Sequence, residues 1–219
     1  MHEVSTSILN AEKGKEAEVI LGLEKSRTDY IHIDVMDGKF VEKNTYQKML
    51  ELASYTRRIS NLPLDIHLMV EDVETAINVF SAVDANIITF HLEACKDEKQ
   101  VFDFINMIKD NHSRVGIALK PNTDIEKIYK FLPYIHVALV MTVEPGKGGQ
   151  TLISDMVNKV QTLKKHIDEN NLETQIEVDG GINLATCEKI KEAGADMLVS
   201  GTAILMAKNY KDIIDELKK

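Results

Sequence analysis

Three short apolar runs in this chain end in residues that can bind a metal or move a proton. They are His32-Ile33-Asp34-Val35-Met36-Asp37-Gly38, Asp65-Ile66-His67-Leu68-Met69 and Glu177-Val178-Asp179-Gly180-Gly181. Successive side chains of an extended strand point to opposite faces. His32, Asp34 and Met36 therefore share one face, and Ile31, Ile33 and Val35 share the other. The same parity turns His67 the way of Met69 and sets Asp179 on the polar side of its own run. If these runs are walls of one cavity, two imidazoles and two carboxylates converge in its mouth. That donor set suits a divalent ion such as Zn2+, Mn2+ or Fe2+ with open positions for substrate oxygens. The alternative is a set of satisfied hydrogen-bond partners with no ion. Four such groups at matching parity weigh against it, because unpaired charges in one buried mouth are costly without a cation. On the residues alone both readings stand.

A second constellation is rich in glycine. Glu144-Pro145-Gly146-Lys147-Gly148-Gly149-Gln150, Asp179-Gly180-Gly181 and Ser200-Gly201-Thr202 each follow an apolar run. Glycine lets backbone amides come close to a phosphate, although it also serves plain turn geometry. The Gly-Lys-Gly stretch is not a nucleotide P-loop, because Lys147 is followed by Gly148 rather than Ser or Thr. Met36, Met69 and Met141 also fall at inward run ends. They are either soft core filler or a water-poor, polarizable roof over a reactive carbanion.

These residues need elements to position them. Eight β-branched runs recur along the chain: Val4–Leu9, Tyr30–Met36, Leu64–Met69, Ile87–Leu92, Val115–Leu119, Val137–Met141, Ile176–Val178 and Met197–Val199. Short apolar runs of this kind read as strands buried on both faces. Between them lie stretches of helical period. Val101, Phe104, Ile105 and Ile108 form one apolar stripe, as do Val19, Ile20 and Leu23, then Val157, Val160 and Leu163, and finally Ile213, Ile214 and Leu217. Strand–helix alternation repeated eight times predicts a closed (β/α)8 TIM barrel over a single domain, residues 1–219, in preference to an open doubly wound sheet. In such a barrel the chemistry sits at the C-terminal ends of the strands, where these polar residues fall.

The 219 residues carry 26 Lys+Arg against 35 Asp+Glu, a formal net charge of −9. No nucleic-acid partner is expected, since nonspecific binding needs a basic face to displace counterions. A phosphorylated small molecule remains compatible, held by backbone amides. Cys95 and Cys187 lie far apart and form no disulfide framework, so reduced thiols in a cytoplasmic protein are expected. Met1-His2-Glu3-Val4 begins no basic-then-apolar signal, and no run approaches the roughly 20 apolar residues of a membrane span. No membrane association is expected.

In order along the chain, Ser5-Thr6-Ser7-Ile8-Leu9, the His32–Gly38 run, Asp65-Ile66-His67-Leu68-Met69-Val70, Phe90-His91-Leu92-Glu93-Ala94, Val143-Glu144-Pro145-Gly146, Gly148-Gly149-Gln150, the Glu177–Gly181 run and Val199-Ser200-Gly201 closely resemble the ribulose-phosphate 3-epimerase family. The resemblance covers residues 4 to about 206. It implies a TIM barrel with ribulose-phosphate-binding character and a cytoplasmic isomerase of carbohydrate metabolism, in the pentose phosphate pathway. Its reaction would invert C3 of a ketose phosphate, D-ribulose 5-phosphate to D-xylulose 5-phosphate, through a cis-enediolate. The resemblance further implies His32, Asp34, His67 and Asp179 as ligands of one divalent ion (Zn2+, Mn2+, Fe2+ or Co2+). It makes Asp34 and Asp179 the acid/base pair, Ser7 and His67 substrate contacts, and Met36, Met69 and Met141 the cap. Phosphate would lie against Gly148-Gly149, Gly180-Gly181 and Gly201-Thr202, with Gly146 beside it; Lys147, a departure from the family, is either a charged phosphate contact or, as the favoured reading, solvated. A homo-oligomer, dimer or hexamer, is expected.

Some positions depart from the family pattern. A His-Phe-Val-Pro-Asn run usually follows the Asp-Gly; here it is Lys39-Phe40-Val41-Glu42-Lys43-Asn44. Lys147 replaces an aromatic residue, and Asn122 the Gly after Lys-Pro. These departures bear on the sugar, so a D-allulose 6-phosphate 3-epimerase is the alternative. Other readings are a phosphate-binding lyase with a Schiff-base lysine, for which Lys120 is the candidate, and a non-catalytic sugar-phosphate-binding barrel.

Overall fold

Valine, isoleucine and leucine dominate the eight runs, and strands of that composition are stable only when covered on both sides. The computed structural model, which describes residues 2–219, covers them by closure. Its strands are β1 (Glu3–Ser7), β2 (Tyr30–Met36), β3 (Leu64–Met69), β4 (Ile87–His91), β5 (Arg114–Leu119), β6 (Val137–Met141), β7 (Gln175–Asp179) and β8 (Met197–Ser200). They pair in parallel in chain order, and β1 pairs with both β2 and β8, closing a single (β/α)8 barrel. The helices are α1 (Glu16–Lys25), α2 (Tyr46–Ile59), α3 (Val73–Ser81), α4 (Glu98–Asp110), α5 (Met156–Glu169), α6 (Cys187–Glu192), α7 (Thr202–Leu205) and α8 (Tyr210–Lys218). The apolar stripes read from the sequence face the sheet: Val19, Ile20 and Leu23 of α1 are buried, as are Val101, Phe104, Ile105 and Ile108 of α4. None of the described helices is long and apolar enough to cross a membrane.

Two expectations need correction. The first strand stops at Ser7, because the Ile8 and Leu9 backbone turns away, with the Ala11 amide donating to the Ile8 carbonyl. The stretch between β5 and β6 is a 3-10 run, Ile125–Tyr134, and not an α-helix. Its buried Ile125, Ile128 and Phe131 recur every three residues, the repeat of a 3-10 turn, and Pro133 has no amide to donate.

Inside the barrel the side chains are unevenly distributed. Tyr30, Ile87, Val137 and Met197, one from each even-numbered strand, form an apolar floor. Layers contributed by alternate strands are how such barrels fill. Above the floor the two sides diverge. The β1, β2, β3 and β7 side is polar, with Ser5, His32, Asp65 and Glu177 buried. The β5 and β6 side is apolar, with Ala118, Leu139, Met141 and Val143 packed together. The crowded point of the interior is Gly116, where an added Cβ would lie 2.1 Å from Thr89 Oγ1 and 2.9 Å from Thr89 Cβ. Gly116→Ala should therefore destabilise the barrel by about 1–3 kcal/mol, the usual range for overpacking a core. Thr89→Ala in the same chain should recover part of that loss. Urea unfolding of the single and double variants checks this; a Gly116→Ala barrel as stable as the parent would refute the crowding argument.

Candidate active site

The ends of β2, β3 and β7 bring together the four residues that parity had grouped. His32 Nε2 lies 3.4 Å from Asp34 Oδ1 and 3.9 Å from Asp179 Oδ2. His67 Nδ1 lies 3.6 Å from each of the same two oxygens. All four ligand atoms fall within 4.8 Å of one another. Tetrahedral zinc with bonds near 2.0–2.2 Å places neighbouring ligand atoms roughly 3.3–3.6 Å apart, close to the spacing found. A second observation agrees: His32 Nε2 and His67 Nδ1 are buried and make no hydrogen bond. Two orphaned imidazole nitrogens facing two carboxylates fit a divalent cation, so the cluster can hold one.

The far side of each imidazole is held by partners that sequence reasoning did not single out. His32 Nδ1 lies 2.6 Å from Asp65 Oδ2, which also accepts from the Ser5 hydroxyl at 2.7 Å. Asp65 and the fully buried Glu177 stand behind His32. His67 Nε2 lies 2.9 Å from His91 Nε2, and His91 Nδ1 lies 3.1 Å from Glu93 Oε2. Asp65 sits within a run already noted and His91 and Glu93 sit in another, and inward parity was the available signal for Asp65 and His91.

The electrostatics show how strongly this mouth calls for positive charge. Burial opposes a charge on His32, but Asp65 and Asp34 outweigh it and hold the imidazole well above its ordinary 6.5. Burial likewise opposes charge on His67, and Asp179 with Asp34 overcomes it and raises its pKa. Burial pushes the Asp34 carboxyl up, yet His32 and then His67 hold it well below the ordinary carboxylate range. Glu177 goes the other way: burial, then the charge of Asp65, push it well above 4.5. Burial keeps His91 down, at about 4, despite its bond to Glu93.

Above the cluster opens a cavity of about 350 Å3. Ser7, Asp34, Asp179, Met36, Met69 and Met141 line it, as do Gly146, Lys147, Gly148, Gly149, Gly180, Gly181, Gly201 and Thr202. Each expected site residue is thus at the cavity except His32 and His67, which lie fully buried beneath it. Ser7 Oγ donates to Asp34 Oδ2 at 2.7 Å, leaving Oδ1 to the cluster. The glycine segments are neighbours in space. A Cβ on Gly181, at φ +69°, would lie 2.4 Å from the Leu152 amide nitrogen, and one on Gly149 would lie 3.8 Å from Thr202 Oγ1. The Gln150 side chain donates to the Glu144 and Lys147 carbonyls at 2.7 and 2.8 Å, bracing the loop after β6 as an arch.

Most of the departures from the family pattern, though not Asn44 or Asn122, gather on one rim. Lys39–Lys43, Lys120 and Lys147 border a chamber beside the main cavity. Phe40 packs on His91 with ring centroids 4.9 Å apart, and the Lys120 ammonium sits 3.8 Å from the centre of the Phe40 ring. Lys120 is therefore engaged in a cation–π contact on the rim and does not line the main cavity, which removes the support for a Schiff-base lyase.

Comparison with known proteins agrees with this geometry. Residues 3–205 match the model of the ribulose-phosphate 3 epimerase family. The ribulose-phosphate 3-epimerase of Methanocaldococcus jannaschii is 38% identical over 219 residues, covering 100% of this chain and 91% of that protein. That of Escherichia coli K12 is 34% identical over 215 residues, covering 98% of this chain and 94% of that protein. Among solved structures, KGPDC from Streptococcus mutans superposes with a TM-score of 0.73 at 15% identity, covering 100% of this chain and 96% of that one. At that identity the likeness concerns the fold.

The raised and lowered pKa values set a pH dependence whose sign can be worked out. With metal removed by a chelator, His32 and His67 contribute stability that is full below their unfolded value of 6.5 and is lost as pH rises through the higher folded values. Asp34 contributes stability that is present above 3.8 and is lost as pH falls toward its depressed value. The chelated protein should therefore melt at a lower temperature at about pH 9 than at about pH 6. A divalent ion needs both imidazoles deprotonated, so its affinity rises with pH, and added Zn2+ or Mn2+ should offset the alkaline loss. Thermal unfolding with and without chelator measures both. Chelated protein more stable at the alkaline pH would contradict the assignment.

Proposed function

Because the chain belongs to the ribulose-phosphate 3-epimerase family, we propose that this epimerase converts D-ribulose 5-phosphate to D-xylulose 5-phosphate with Asp34 and Asp179 as its proton-transfer pair. One observation carries the assignment. The two carboxylates come from β2 and β7, on separate walls of the barrel, and both line the cavity above the cluster.

Inversion next to a carbonyl needs a base on one face of the carbon and an acid on the other. One aspartate takes the C3 proton, leaving a planar cis-enediolate. The other, which begins the cycle protonated, delivers its proton to the opposite face of C3. The pair ends with the proton on the first aspartate, ready for the reverse direction or for exchange with solvent. His32, Asp34, His67 and Asp179 would hold a divalent ion (Zn2+, Mn2+, Fe2+ or Co2+), which when bound supplies positive charge against the negative charge developing on the substrate oxygens. Ser7 holds Asp34 Oδ2, so the carboxylate presents Oδ1 in a fixed direction. Met36, Met69 and Met141, at most 2% exposed, cover the reacting carbon with apolar, polarizable surface and keep bulk water off it. At the glycine end, the amides of Gly148-Gly149, Gly180-Gly181 and Gly201-Thr202 would hold the phosphate, the glycines bringing backbone close because they carry no Cβ of their own.

The test is turnover of D-ribulose 5-phosphate beside D-allulose 6-phosphate by metal-replete protein, with C3 deuterium incorporation followed in D2O. The pentulose phosphate should be the faster substrate. Asp34→Asn and Asp179→Asn should each lower turnover by about 10^2–10^4-fold, the range for a lost general acid or base. Near-normal turnover in either variant, or no turnover of either sugar by the parent, would sink this reading.

A further inference from the structure

With both rings neutral, as a metal-bound His67 requires, the chain of contacts behind His67 has only one consistent arrangement of protons. A carboxylate accepts hydrogen bonds and donates none. Glu93 Oε1 accepts from the Lys120 backbone amide at 2.8 Å and from the Thr123 hydroxyl, which fixes the carboxylate with Oε2 toward His91 Nδ1 at 3.1 Å. His91 Nδ1 must then carry the proton. Its Nε2 is left as a lone pair, and that lone pair faces His67 Nε2 at 2.9 Å. Two unprotonated nitrogens cannot share a hydrogen bond, so His67 Nε2 carries the next proton and donates. In the neutral His67 ring the lone pair is thereby assigned to Nδ1, the atom that faces Asp34 and Asp179 and has no hydrogen-bond partner of its own. Phe40 and the Lys120 ammonium stacked upon it cover the His91 ring from the rim, and His91 is fully buried.

We infer that His91 and Glu93 are positioning residues that set the tautomer of His67, with the loop after β5 holding the near end of the relay. The backbone of that loop is itself held, because Lys159 Nζ donates to the carbonyls of Lys120 and Pro121 at 3.0 and 3.1 Å. The direction of the lone pair at His67 Nδ1 is thus decided three residues away, by an amide hydrogen on Lys120. In its effect on metal affinity, the inference rests on the reading of His67 as a ligand; the proton arrangement stands apart from it.

The relay makes an unusual demand on its variants. Glu93→Gln preserves shape, but its amide oxygen must stay with the Lys120 amide and the Thr123 hydroxyl. Its NH2 then faces His91 Nδ1 and donates, which moves the His91 proton to Nε2. His67 Nε2 must now accept, and its own proton is driven to Nδ1, into the ligand position. Glu93→Ala leaves the His91 tautomer merely unbiased. The near-isosteric change should therefore be the more damaging of the two, the reverse of what a packing role would give.

The experiment is 15N NMR of the imidazoles in the metal-free full chain at alkaline pH, where the His67 ring is neutral, joined to Zn2+ affinity measured by competition with a chromophoric chelator. In the parent, His91 should show a protonated Nδ1 and a pyridine-type Nε2. In Glu93→Gln these should exchange, and Zn2+ affinity should fall about 10–100-fold, the range for loss of a partner behind a metal-bound histidine. Glu93→Ala should lose less than Glu93→Gln. A parent His91 protonated at Nε2, a Glu93→Gln spectrum unchanged from the parent, or unchanged affinity in Glu93→Gln would each overturn the inference. Failure of the parent itself to bind divalent metal would overturn the proposed function and leave the tautomer result standing.

Discussion

Two carboxylates crowded into one barrel mouth repel each other unless positive charge stands between them. Asp34 and Asp179 are in that position, with their ligand oxygens within 4.8 Å of the same two imidazole nitrogens and of each other. The surroundings of the cluster answer this constraint. His32 and His67 face the carboxylates, and each is steadied from behind by an acid, Asp65 directly and Glu93 through His91. The second layer of acids raises the demand for positive charge further. A divalent cation satisfies it without the proton bookkeeping that two imidazolium rings would require. With such an ion in place, the same local charge would let a chain of net charge −9 receive an anionic sugar phosphate.

The division of the interior into a polar and an apolar side has a chemical use. Ser5, His32, Asp65 and Glu177 give the β1, β2, β3 and β7 side fixed dipoles and charges. Leu139, Met141 and Val143 make the opposite side low in dielectric. In the proposed reaction, the protons leaving and reaching C3 would move beside Asp34 and Asp179 between these regions, where charges interact strongly if water is scarce. Asp34 and Asp179 line this boundary within the cavity, and the three methionines stand over it.

Much of this arrangement was legible in the residues because strand parity is a rigid rule. His32, Asp34, His67 and Asp179 needed only period-two alternation and a closed sheet to be brought together. The 3-10 run at Ile125–Tyr134 was harder to read, since apolar residues spaced by three fit one face of either helix type in so short a stretch. The relay through His91 and Glu93 was out of reach for a different reason. Parity turns His91 inward, but Glu93 lies beyond the strand in a 3-10 turn, and its partners Lys120 and Thr123 come from another loop. Contacts between loops depend on backbone paths that no periodicity encodes. Lys120 shows the same limit: its strand position suggested an inward amine, and the loop holding Phe40 took it up instead.

The arch after β6 has a consequence for where entropy is lost. Gln150 ties the Glu144 and Lys147 carbonyls to its own amide group in the chain without any ligand. Ordering a backbone segment costs about 1–2 kcal/mol per residue, and here part of that cost falls at folding and not at the encounter with substrate. A loop that arrives already shaped asks less of each binding event, so under the proposed phosphate role more of the interaction would appear as affinity. The corresponding liability is that a change which breaks the Gln150 bonds would cost order in the free protein as well as any contact the arch makes with a ligand.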